Sequence, residues 1–118
     1  MEKLIAWVEI PTENFERAVK FYNDVLKLDL KPMDFGTEKM ACLPNDEGAI
    51  VYTEGFKPSN QGAVVSFNAG DDLDACLERV KENGGSIIQE KSKIEAEGRG
   101  YFALFNDTEG NRVGLYGN

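Results

Sequence analysis

At 118 residues the chain is about one domain long, and 42% hydrophobic against 29% charged residues suits a folded globule rather than a disordered segment. A net charge of −8, with no two Lys or Arg adjacent, argues against nucleic acid and anionic membrane surfaces as partners, because both demand clustered cations. Histidine is absent, which removes the commonest general base and a common metal ligand together. No apolar run approaches the ~18 residues of a membrane span, and the N-terminal stretch meets Glu9 and Pro11 too early for a signal peptide, so a cytoplasmic location is expected.

Leu4 to Ile10 alternates around Trp7 and Glu9, and Thr12 to Asn14 follow as residues suited to capping a helix. From Phe15 onward, Ala18, Val19, Tyr22, Val25 and Leu26 recur at three- and four-residue spacing, which places them on one helical face. Three short strands are expected next, at 28–35, 39–43 and 49–53, separated by turn residues. After the linker-like stretch 55–62 the pattern begins again with a strand at 63–68 and a helix capped by Asp71 or Asp72.

A shift of 58 positions lays Phe15, Ala18, Val19 and Tyr22 on Leu73, Cys76, Leu77 and Val80. Gly84-Gly85 ends this second helix, and strands are expected at 86–91, 100–106 and 111–116. A unit of this length repeated once reads as a duplicated βαβββ module rather than a solenoid. Cys42 and Cys76 lack metal-site spacing and read as buried free thiols.

These residues resemble a known family. Trp7-Val8-Glu9-Ile10-Pro11, Arg17-Ala18 and Phe21-Tyr22 look like the opening module of the glyoxalase/bleomycin resistance/extradiol dioxygenase proteins, the vicinal oxygen chelate superfamily. Pro58-Ser59, Gly62, Asp72-Leu73-Asp74, Gly84-Gly85 and Asp107 to Leu115 resemble its second module. The resemblance implies an α+β fold in one domain, 1–118, whose modules, about 1–55 and 62–118, form a curved mixed sheet around a cleft. It also implies a divalent metal held by four strand positions, which fall here on Trp7, Val51 (or Tyr52), Ala63 and Gly114, none of them a ligand. No metal and no cofactor are therefore expected.

Asp107 to Asn111 reads as a structural turn. Alternation sets Trp7 and Glu9 on the cleft side of the first strand, with Glu9 a candidate for orienting a polar ligand or acting as a base. The family's ligand positions mark Ala63, Val65 and Phe67, and Gly114 and Tyr116, as the apolar and aromatic wall. Arg99, between two glycines and beside Tyr101, is a candidate for an anionic ligand. The expected function is binding of a small apolar or aromatic molecule by a homodimer. The alternatives are a lyase or dioxygenase-type enzyme working through Glu9 or an unrecognised metal site, and a structural subunit whose cleft face is an interface.

Overall fold

In the computed structural model, which describes residues 3–118, the chain runs β1 (Val8–Pro11), α1 (Phe15–Leu26), β2 (Pro32–Asp34), β3 (Glu38–Cys42), a 3-10 turn (Pro44–Asp46) and β4 (Gly48–Thr53). The second half runs β5 (Val65–Gly70), α2 (Leu73–Glu82), β6 (Ser86–Lys93), β7 (Tyr101–Asn106) and β8 (Arg112–Gly117). Strand, helix and three strands thus occur twice, the α+β arrangement expected from the repeat. Hydrogen bonding divides the strands into two sheets, ordered β1-β4-β3-β2 and β5-β8-β7-β6. In each, the first strand pairs in parallel with the last and the other pairs are antiparallel.

Two strands are shorter than the alternation implies. β1 begins at Val8 because its partner β4 begins at Gly48, the residue in register with Val8. Leu4 and Ile5 are left 85% and 64% exposed. Residues 28–30 terminate α1 instead of extending β2: Leu28 N–H donates to the Asn23 carbonyl at 2.9 Å, and Leu30 N–H to Asn23 Oδ1 at 2.8 Å.

Asn14 caps α1, its side chain accepting from Arg17 N–H at 3.1 Å. Asp72 holds the equivalent place before α2, but its carboxylate is taken by the Arg79 guanidinium instead. The eight residues paired by the 58-residue shift are all buried. Fully burying one such side chain stabilises the fold by roughly 1.5–3 kcal/mol relative to leaving it exposed.

Helix α1 also joins the modules. The Phe21 ring lies 6.0 Å from that of Phe105, and Tyr22 5.8 Å from Phe67, both in the second sheet. Where α2 turns into β6 the chain passes so close to this junction that a Cβ on Gly85 would lie 2.8 Å from both the Asn106 carbonyl and Val80 Cγ1. No helix among the described residues is long and apolar enough to cross a membrane.

Candidate functional site

The turn Asp107–Asn111 is a polar clamp between the modules. Asp107 Oδ1 accepts from the Glu109 and Asn111 amides, while its Oδ2 accepts from Tyr22 Oη at 2.5 Å and from Asn111 Nδ2 at 3.0 Å. Burial, reinforced by the charge of Asp107, pushes the Tyr22 phenol well above its ordinary pKa, so Tyr22 remains a donor. Glu109 accepts from the Glu13 and Asn14 amides at the start of α1, from Arg17 Nε and from Thr108 Oγ1. Burial alone would raise the Glu109 pKa, but these donors outweigh it and hold the carboxyl below its ordinary value. Asn111 adds bonds to the Pro11 carbonyl and from Ser59 N–H. Every carboxylate oxygen in this turn has a partner, which leaves none for a ligand.

Each sheet has one face covered by the helices and one turned away from them, called here the open face. In the first sheet Ile10 and Ile50, in register, belong to the helix-side core, so Glu9 and its partner Ala49 point to the open face. Trp7, 40% exposed, donates from its indole Nε1 to Glu9 Oε2 at 3.1 Å. Val51 is fully buried, so a ligand on this face does not reach its side chain as it stands.

In the second sheet Val113, Leu115, Ala103 and Phe105 are buried on the helix side, so Arg112, Gly114 and Tyr116, with their β7 neighbours Asn106, Leu104 and Phe102, form the open face. On β5 the residue that joins them is Ser66, in register with Gly114. A Cβ on Gly114 would run into Ser66 Oγ. This small pair leaves the centre of the face bare of large side chains, with the Ser66 hydroxyl covering the buried Gly114.

The sequence-derived wall is split by this geometry. Trp7, Glu9, Gly114 and Tyr116 are on open faces. Val65 and Phe67 are not: Phe67 packs against the core and against Tyr22 on the helix side, and Val65 shares its parity on the strand. Ala63 precedes β5 and is exposed. Tyr101 packs partly against the helix-side core, under Lys91 Nζ at 4.8 Å from its ring centre. Arg99 is exposed in the loop between β6 and β7, next to Gly100, whose N–H donates to Tyr116 Oη at 3.3 Å.

The family positions were one residue out of phase with the alternation on β5. The polar residues Ser66 and Asn68, alternating with the apolar Val65 and Phe67, carried that signal in the sequence itself. Val65 and Phe67 do line another feature, a recess of about 570 Å³ at the seam between the edges of β1 and β5, walled also by Lys3–Ala6, Val8 and Leu43. An adjoining recess of about 300 Å³ shares Leu43, Glu47, Phe67 and Asn68 with it and ends at Cys76 and Arg79. The guanidinium there is already occupied by Asp72 and by the Val25 carbonyl at 2.9 Å.

The divalent metal implied by the resemblance does not suit these residues. The central open-face positions are Glu9, Ala49, Val51, Ser66, Gly114 and Tyr116, and among the described residues no three His, Cys, Asp or Glu side chains come together. Hard and borderline cations require several converging donors of those kinds. Cys76 is buried, its thiol pushed up in pKa by that burial, and Cys42 is half-buried; neither forms a disulfide.

Comparison with known proteins agrees with the fold. Residues 4–115 match the family model described as the Glyoxalase/Bleomycin resistance protein/Dioxygenase superfamily. A glyoxylase-like domain-containing protein of Didymella fabae is 34% identical over 116 residues, covering 91% of this chain and 88% of its own length. The crystal structure of a glyoxalase/bleomycin resistance protein from Albidiferax ferrireducens superposes with a TM-score of 0.72 at 21% identity, covering 98% of this chain and 100% of that one. The fosfomycin resistance protein FosX of Mesorhizobium loti gives 0.69 at 20% identity, covering 100% and 93%.

Proposed function

Because the chain belongs to the Glyoxalase/Bleomycin resistance protein/Dioxygenase superfamily, we propose that it binds a small, largely apolar or aromatic molecule on the open face of its sheets, without a metal. The observation that carries this reading is the bare centre of the second sheet, where Gly114 and Ser66 lie side by side with Leu104, Phe102 and Tyr116 around them. A patch with small residues in the middle and apolar groups at its margin has room for a flat ligand. The same reading takes the protein as cytoplasmic and as a homodimer, the latter supported by four strands, β1, β2, β5 and β6, that are unpaired at one edge among the described residues.

A thermal-shift screen of aromatic compounds tests it. A ligand at 100 times its Kd stabilises the fold by about 2.7 kcal/mol, a readily measured rise in Tm. Ser66→Leu fills the bare centre from an exposed strand position and is expected to abolish that rise while leaving the folded spectrum unchanged. Compounds that stabilise the wild type and Ser66→Leu equally would place binding elsewhere and overturn the reading.

A further inference from the structure

The open face of the second sheet contains two polar groups that the protein itself does not satisfy. Arg112, first residue of β8, is half-buried, yet it takes part in none of the ion pairs or side-chain hydrogen bonds among the described residues. What sets it apart from the other cations unpaired among the described residues, Lys3, Lys27, Lys93 and Arg99, is its place on a strand of the open face. Its cross-strand partner on β7 is Asn106, whose Oδ1 is buried without a hydrogen-bond partner. Partners directly opposite on antiparallel strands hold their Cβ atoms about 4.5–5.5 Å apart, yet the Arg112 guanidinium does not donate to Asn106 Oδ1, so this neighbour does not neutralise or hold the cation.

The backbone beneath Arg112 is fixed. Asn111, the preceding residue, is bonded through its side chain to Pro11, Asp107 and Ser59, so the cation is presented from a rigid strand end. Along the same face of β8 come Gly114 and then Tyr116, a run of ~13 Å at the rise of a β-strand. A cation at one end, a bare centre and an aromatic residue at the other form a linear pattern.

We infer that the ligand of this face is a planar aromatic carboxylate, its ring over Gly114 and Ser66 between Leu104 and Tyr116, and its carboxylate on the Arg112 guanidinium. This rests on the open-face binding proposed above and adds the charge and orientation of the molecule. A carboxylate fits better than a phosphate dianion because Arg112 is the one cation among the open-face residues of this sheet, and the guanidinium fork matches a carboxylate in two parallel bonds. It differs from the sequence expectation, which gave the anion to Arg99.

The test compares 2-naphthoate with its neutral analogue 2-naphthamide by amide chemical-shift titration of the wild type, Arg112→Gln and Arg112→Lys. The acid is expected to bind the wild type at least tenfold more tightly than the amide, with shifts centred on Ser66, Leu104, Gly114 and Tyr116. Arg112→Gln should bring the acid down to the affinity of the amide, and Arg112→Lys, which keeps the charge but loses the fork, should retain part of the preference. Dispersed amide spectra that match the wild type away from position 112 certify that the variants are folded. Equal affinities of acid and amide in the wild type, with shifts on those four residues, would overturn the carboxylate inference and leave open-face binding intact. Absence of shifts there with either probe at millimolar concentration would overturn both.

Discussion

Arg17 and Glu109 are 92 positions apart in sequence, yet Arg17 Nε donates to Glu109 Oε2 at 2.7 Å, and the carboxylate has no exposed surface while half of the arginine side chain does. The pair belongs to the point where the second module closes over the start of α1. Its carboxylate carries two backbone amides of α1 as well, so it does the work of an N-terminal anion and a cap together.

Acid should therefore open the molecule at this junction first. Glu109 has a depressed pKa in the fold, so its contribution is whole above the ordinary glutamate value of about 4.3 and is lost as pH falls through the folded value. Urea unfolding from pH 6 to pH 2 should show a steep fall in the wild type. Glu109→Ala, which strands the amide and arginine donors, should cost about 2–4 kcal/mol at pH 7 and flatten the curve below pH 4. An unchanged pH profile in that variant would show that other carboxylates govern acid unfolding.

Gly85 and Gly62 make a paired test of close packing. A Cβ at Gly85 meets backbone and core side chains, whereas one at Gly62 meets nothing within 4 Å. Gly85→Ala should cost about 1–3 kcal/mol by overpacking, and Gly62→Ala should stay within about 0.5 kcal/mol of the wild type. Denaturant midpoints at constant m-value measure both, and equal effects would contradict the approach of β6 to Phe21.

Trp7 reports which sheet a ligand occupies. As the single tryptophan, 40% exposed and bonded to Glu9, it should be quenched by acrylamide. A ligand that spans both open faces should change its emission saturably over the range that raises Tm, and Glu9→Gln should weaken such a ligand only modestly because the near-isosteric amide still accepts from the indole. Emission indifferent to every stabilising compound would confine binding to the second sheet.

Sedimentation at micromolar concentration should give a dimer, because edge strands left open favour pairing. Charge on an edge strand opposes such pairing, so Ser66→Lys on β5 and Met33→Lys on β2, tested separately, should reveal which edge is used by raising the dimer Kd. A strictly monomeric profile for the wild type at high concentration would remove the dimer from the proposal.

The sequence by itself determined the modules and their helices. Apolar spacing around Phe15–Leu26 and Leu73–Val80 has a period that only one helical face satisfies, and both stripes are buried in the structure. It also determined that no histidine-based metal site exists, since composition settles that without geometry. Tertiary structure decided the rest. Which side of β5 faces outward follows from the partner of Gly114, a pairing between positions 48 residues apart that alternation left ambiguous once the family positions were imposed on it. The partner of a charged group is likewise a three-dimensional fact: Glu109 is spent on α1 and Arg79 on Asp72, while Arg112 stands without an anion among the described residues. Local sequence fixes a side chain's parity and propensity, but burial and electrostatic pairing depend on residues brought together by the whole chain.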